Sequence, residues 1–115
     1  MREWVTGLGM ALAASAAQAQ IDPSFAQCMA CHTVKPGQNR LGPSLYRIVG
    51  AKKATVPGFA YSPALTARKG LWSEADLDAF IANPRAAVPG TRMVYAGMPD
   101  AAKRKRLIAW LKGVK

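Results

Sequence analysis

Cys28-Met29-Ala30-Cys31-His32 is the stretch from which the rest of the chain is best read. Two thiols three residues apart, with an imidazole directly after the second, are what a protein needs to attach a haem covalently and ligate its iron from one segment. On one helical turn the two cysteines share a face, so both sulfurs can add to the vinyl groups on one edge of the macrocycle while His32 swings beneath the iron. A structural zinc site needs four protein ligands, yet the chain holds only two Cys and one His, all inside these five residues. A thioredoxin-like redox pair needs a strand before the motif and a βαβ context after it, and neither is legible. The motif therefore predicts one covalent haem c, held through two thioethers from Cys28 and Cys31, with His32 as the first axial ligand.

Residues 1–19 read as a secretory signal peptide. Arg2 makes a short basic start, Val5 to Ala17 is apolar, and Ala17-Gln18-Ala19 offers small residues at the two positions a signal peptidase reads. A retained anchor is the competing reading, but this apolar stretch would rise only about 20 Å as a helix, short of the ~30 Å hydrocarbon core. Export to the periplasm is expected, leaving one small domain over residues 20–115. Haem would give so short and Gly- and Pro-rich a chain an apolar plate to pack on, and the apo form is expected to fold poorly.

The net charge is +10. Arg2 and Glu3 cancel, so residues 20–115 carry the same excess. Such a field draws in acidic partners and anionic surfaces. Nucleic acid is the usual rival for a basic chain, but the expected export argues against it, and nothing in the sequence resembles a nucleic-acid motif.

In chain order, Asp22-Pro23-Ser24 marks a helix start, and Phe25 opens a short helix running into the motif. Thr33 to Gly50, with Pro36-Gly37 and Gly42-Pro43, reads as a long loop. Ser62-Pro63 caps a short helix to about Ala67. Ser73-Glu74-Ala75-Asp76 resembles a capping box with Asp for Glu, followed by Leu77, Phe80 and Ile81 at helical spacing and a stop before Asn83-Pro84. Val88 to Met93 is a loop. After Pro99-Asp100 a last helix carries Leu107, Trp110, Leu111 and Val114 on one face, with the basic run Lys103 to Arg106 at its unfavourable end. No strand alternation is visible, so the fold class is all-α, with about four to five short helices and long loops.

Once His32 takes one axial position, the other decides the chemistry: filled, the iron exchanges electrons; open, it binds small molecules. There is no second histidine, so the candidates are Met29, Met93, Met98 and lysine side chains, with Met10 in the leader. Met29 lies inside the attachment turn, on the wrong side of the ring. Met93 and Met98 remain, and Met93 is favoured because it ends a Pro-Gly loop, whereas Met98 directly precedes Pro99 at the start of a helix.

Cys28-Met29-Ala30-Cys31-His32-Thr33-Val34, Leu41-Gly42-Pro43-Ser44-Leu45, Pro57-Gly58-Phe59-Ala60-Tyr61, Leu71-Trp72, Asn83-Pro84, Pro89-Gly90-Thr91-Arg92-Met93 and Leu107 to Lys112 together resemble the class I c-type cytochromes, in the branch of mitochondrial cytochrome c and its bacterial relatives. The likeness runs in order over residues 24–112. It implies thioethers at Cys28 and Cys31, His32 and Met93 as axial ligands to the iron, and the Pro43 carbonyl as acceptor for the His32 Nδ1 proton. It further implies that Tyr61 and Trp72 hydrogen-bond a haem propionate, that Thr91 helps close the loop over it, and that the first and last helices cross with Phe25 against Trp110 or Leu107. The chain departs from that pattern at Phe80, where mitochondrial proteins have a tyrosine bonded to the ligand sulfur. It also departs at Ala51, an arginine in the family, at Leu65, an asparagine, and in lacking the family's glycine at the helix crossing.

The resulting expectation is a soluble, monomeric one-electron carrier and not an enzyme, serving respiratory or photosynthetic partners. Those partners would be acidic-faced redox proteins or membrane complexes such as an oxidase, a reductase or a reaction centre, with peripheral contact to an anionic membrane. Lys35, Arg40, Arg92 and the Lys103 to Arg106 run are the candidate docking cations. Two alternatives are a haem peroxidase or gas-binding protein with a labile Met93, and an electron-entry module of a membrane oxidase or dehydrogenase complex.

Overall fold

The computed structural model describes residues 20–115; the leader expected at 1–19 lies outside the described residues. Within them are one 3-10 helix, Pro23–Cys28, and four α-helices: α1 Pro63–Thr66, α2 Glu74–Ala82, α3 Pro84–Ala87 and α4 Ala101–Lys112. The extended backbone contributes a single isolated bridge between Lys52 and Leu71 among the described residues. No helix in this part is long and apolar enough to cross a membrane.

The first helix starts where Asp22 and Pro23 predict, but it winds as a 3-10 helix. The Asp22 carboxylate accepts the Ser24 N–H at 2.9 Å, and the Phe25 N–H bonds back three residues to the Asp22 carbonyl at 2.8 Å. Over its six residues the bonds reach back three positions instead of four, the 3-10 pattern. A single buried side chain, Phe25, anchors the segment.

Ser62 and Ser73 cap α1 and α2 through their hydroxyls, accepting the Leu65 N–H at 3.1 Å and the Asp76 N–H at 3.0 Å. The capping box at Ser73 is only half formed. Asp76 turns away to Lys53 Nζ at 2.6 Å, and the Ser73 N–H finds the Leu71 carbonyl instead. After Asn83 a short helix appears where the sequence had suggested only a stop. Asn83 is extended, which ends α2, and its Oδ1 accepts the Ala86 N–H at 3.2 Å, which starts α3 with Pro84 at its first position.

On α4 the buried residues are Leu107, Ile108 and Leu111. Ile108 thus joins the face expected from the spacing, while Trp110 sits half-buried on its flank and meets Phe25 with ring centroids 5.1 Å apart. This is the crossing of first and last helices, and α4 also packs on α2. Each ring buries ~150–250 Å², so at ~25 cal/mol/Å² the pair contributes several kcal/mol as an upper bound.

The basic start of α4 has a partial structural explanation. Arg104 Nε meets the Asp78 carboxylate on α2 at 2.8 Å, and its Nη1 donates to the Met98 and Pro99 carbonyls at 2.9 and 3.0 Å. Arg104 therefore ties two helices together and is withdrawn from the set of docking cations.

The loop from Thr33 to Gly50 carries its own polar frame. The Thr33 hydroxyl donates to the Gln38 carbonyl at 2.7 Å, the Ser44 hydroxyl to the Lys35 carbonyl at 2.6 Å, and Asn39 Oδ1 accepts the Ser44 N–H at 2.9 Å. Buried Thr33 and Ser44 are thereby satisfied. Gly97, with φ +120°, lets the chain lie against the end of α2. A Cβ there would stand 2.2 Å from the Ala82 carbonyl oxygen, and the next residue, Met98, donates its N–H to the free Ile81 carbonyl at 2.9 Å.

Candidate functional site

The motif folds as one tight turn continuing the 3-10 helix. The Cys28 carbonyl accepts from the N–H groups of both Cys31 and His32, at 3.1 and 2.9 Å. Both thiols are free and partly accessible. Burial, with the neighbouring Cys31 second, raises the Cys28 thiol pKa. Arg40 Nη1 closes the turn by donating to the Met29 carbonyl at 2.9 Å.

His32 is buried, and its Nδ1 lies 2.7 Å from the Pro43 carbonyl oxygen. A carbonyl can only accept, so Nδ1 carries the proton and Nε2 keeps a free lone pair. Burial lowers the imidazole pKa against the opposing pull of that carbonyl, favouring the neutral ring a metal requires. Gly42 packs against this ring: a Cβ at that position would come within 2.3 Å of His32 Cε1 and 2.8 Å of both ring nitrogens. The glycine is needed for space, and its N–H is spent on the Cys31 carbonyl at 2.8 Å. A free Nε2 on an immobilised, neutral imidazole beside two unpaired thiols fits a covalent haem.

The two candidate methionines part company. Met98 is 3% exposed and belongs to the main apolar cluster with Phe25, Trp72, Leu77, Ile81 and Leu107. Met93 stays half-buried outside that cluster, on a non-helical segment, and its N–H is held by the Thr91 hydroxyl at 3.2 Å. Thr91 in turn bonds through its N–H to the Val88 carbonyl at 3.0 Å, fixing the turn before Met93.

Tyr61 and Trp72 are held differently. The Tyr61 hydroxyl accepts the Val56 N–H at 2.9 Å, leaving its own proton to donate, and burial raises its pKa. Its ring stands edge-on to Phe59, centroids 4.9 Å apart. Trp72 is buried, yet its indole N–H finds no acceptor among the described residues, whereas that of Trp110 reaches the Gln20 carbonyl at 2.9 Å. A buried, unmatched donor is what a missing anionic oxygen would leave. Phe80 packs on Trp72 at 5.3 Å. One cation here was not singled out from sequence: the Lys53 ammonium lies 5.1 Å from the Trp72 ring centre. The Asp76 carboxylate holds that ammonium at 2.6 Å, and no sequence pattern signalled the contact.

No family model matches the chain. The curated relatives it resembles include the cytochrome c2 of Blastochloris viridis, 40% identical over 119 residues, covering 97% of this chain and 93% of that protein. Another is the cytochrome c-type cyt cy of Rhodobacter capsulatus, 44% identical over 84 residues, covering 73% of this chain. This chain spans only 42% of the length of that second relative. Among solved structures, cytochrome cH from Methylobacterium extorquens superposes with a TM-score of 0.73 at 42% identity, covering 77% of this chain and 90% of that one. A turn with two thiols and a poised imidazole, an all-α frame and these likenesses agree. The chain belongs to the class I cytochromes c, alongside the bacterial cytochromes c2: an electron-transfer protein with covalent haem c, and not an enzyme.

Proposed function

We propose that this cytochrome is a soluble periplasmic shuttle in which His32 Nε2 and Met93 Sδ would hold the haem iron and Cys28 and Cys31 would anchor the haem as thioethers. The bound haem supplies a one-electron Fe(II)/Fe(III) couple. The observation that carries the reading is the His32 Nδ1 to Pro43 carbonyl contact at 2.7 Å, which fixes the tautomer and aims the other nitrogen. Met93 is the second donor because Met98 is consumed by the core. A soft thioether favours Fe(II), which raises the potential over that of a bis-imidazole site. Trp72 and Tyr61 each retain a proton for a haem propionate; the Lys53 ammonium near Trp72, in a family whose arginine is here Ala51, is already paired with Asp76. Thr91 shapes the turn that brings Met93 inward.

Electron exchange is best supported at the attachment turn, where Arg40 bonds to the Met29 carbonyl and the apolar side chains of Met29 and of Leu41, next to Arg40, are exposed. Arg40 brings charge to this turn, and the exposed Arg92 brings charge to the Met93 segment. An apolar centre with a basic rim suits an acidic-faced redox partner. The test is Met93→Ala in the haem-loaded protein. Loss of the weak near-infrared sulfur-to-iron band together with a lower reduction potential is expected; persistence of both, with their loss in Met98→Ala instead, would refute the ligand assignment.

A further inference from the structure

The segment bearing Met93 is tied to the rest of the molecule by a side-chain contact on each side of that residue. Arg92 Nη1 donates to the Ala60 carbonyl at 3.1 Å. Two residues beyond Met93, the Tyr95 hydroxyl donates to Gln27 Oε1 at 2.6 Å, a contact joining residues 68 positions apart. Gln27 directly precedes Cys28 in the 3-10 helix, so this second tether links the Met93 segment to the element that carries the first thioether. The Tyr95 ring packs on the apolar cluster, which makes its hydroxyl a separable feature: the ring supplies packing, and the oxygen supplies only the tether.

We infer that the Tyr95 hydroxyl and the Gln27 side chain form a latch that keeps the Met93 segment closed, so that Tyr95 is a positioning residue governing how readily an outside ligand displaces Met93. This rests on Met93 being the axial donor. An extrinsic ligand can bind only after the thioether leaves, and its apparent affinity scales with the fraction of molecules in which the segment has opened. Closing the segment without the hydroxyl forfeits one hydrogen bond, which makes the open fraction about two- to tenfold larger. The Gln27 backbone is held in the 3-10 helix, so the acceptor is carried by the same element as Cys28.

The experiment is imidazole titration and stopped-flow binding on the ferric, haem-loaded protein, comparing the parent with Tyr95→Phe, Gln27→Leu and the double variant. Tyr95→Phe keeps the ring. About two- to tenfold tighter apparent imidazole binding is expected in each single variant, with the double variant matching the singles because both remove the same bond. The midpoint of global unfolding should move little, which separates a latch from general loosening. Unchanged imidazole binding in both single variants, or effects that add fully in the double variant, would overturn the latch while leaving Met93 as ligand. Absence of the near-infrared sulfur band in the parent would overturn the ligand assignment and the latch with it.

Discussion

Replacing Gly42 by alanine tests the geometry on which the site depends. The new methyl carbon would stand 2.3 Å from His32 Cε1 and 2.8 Å from Nδ1 and Nε2. Ordinary carbon contacts begin near ~3.5 Å, so ring or backbone must retreat by roughly 1 Å. The backbone has little freedom, because the Gly42 N–H is bonded to the Cys31 carbonyl at 2.8 Å and its carbonyl accepts the Arg40 N–H at 2.9 Å. The ring cannot withdraw without stretching its 2.7 Å contact with Pro43. Overpacking of this kind costs about 1–3 kcal/mol, and the strained hydrogen bond adds about 0.5–1.5 kcal/mol. A loss of about 2–4 kcal/mol in urea unfolding of the haem-loaded protein is expected, with a displaced Soret band and a weaker near-infrared band. Gly37→Ala is the matched control: Gly37 has φ +71° but open space around it, so it should cost only the ~1–2 kcal/mol of a left-handed residue and leave the spectrum untouched. If Gly42→Ala unfolds within about 0.5 kcal/mol of the parent and keeps its spectrum, steric confinement of His32 is wrong.

Met98→Ala should lower stability by about 2–5 kcal/mol, as deletion of a buried core side chain does, while the near-infrared band survives; chemical unfolding with spectra on the same samples checks both. Electron transfer to an acidic-faced partner should slow steeply as salt rises, since the net charge is +10 and steering between exposed charges is screened; a second-order rate independent of ionic strength would remove the basic rim from the account. Protein made without haem attachment should lack a cooperative melt by circular dichroism, because so small a domain loses the apolar plate that haem would add to its core.

The haem motif, the all-α class, the capping serines at 62 and 73 and the buried face of α4 were legible in the sequence because each is set by spacing within a few residues. Local hydrogen-bond geometry needs no distant partner to be recognised. The preference for Met93 over Met98 was also drawn locally, from Pro-Gly and Met-Pro neighbours. What tertiary structure alone decided depends on meetings between segments remote in sequence. Asp76 abandons its capping box for Lys53, Arg104 spends its charge on Asp78, Gly42 stands against His32, and Tyr95 reaches Gln27. A side chain that can be satisfied in two ways takes the partner the folded chain brings nearest, and sequence spacing does not encode which partner that is.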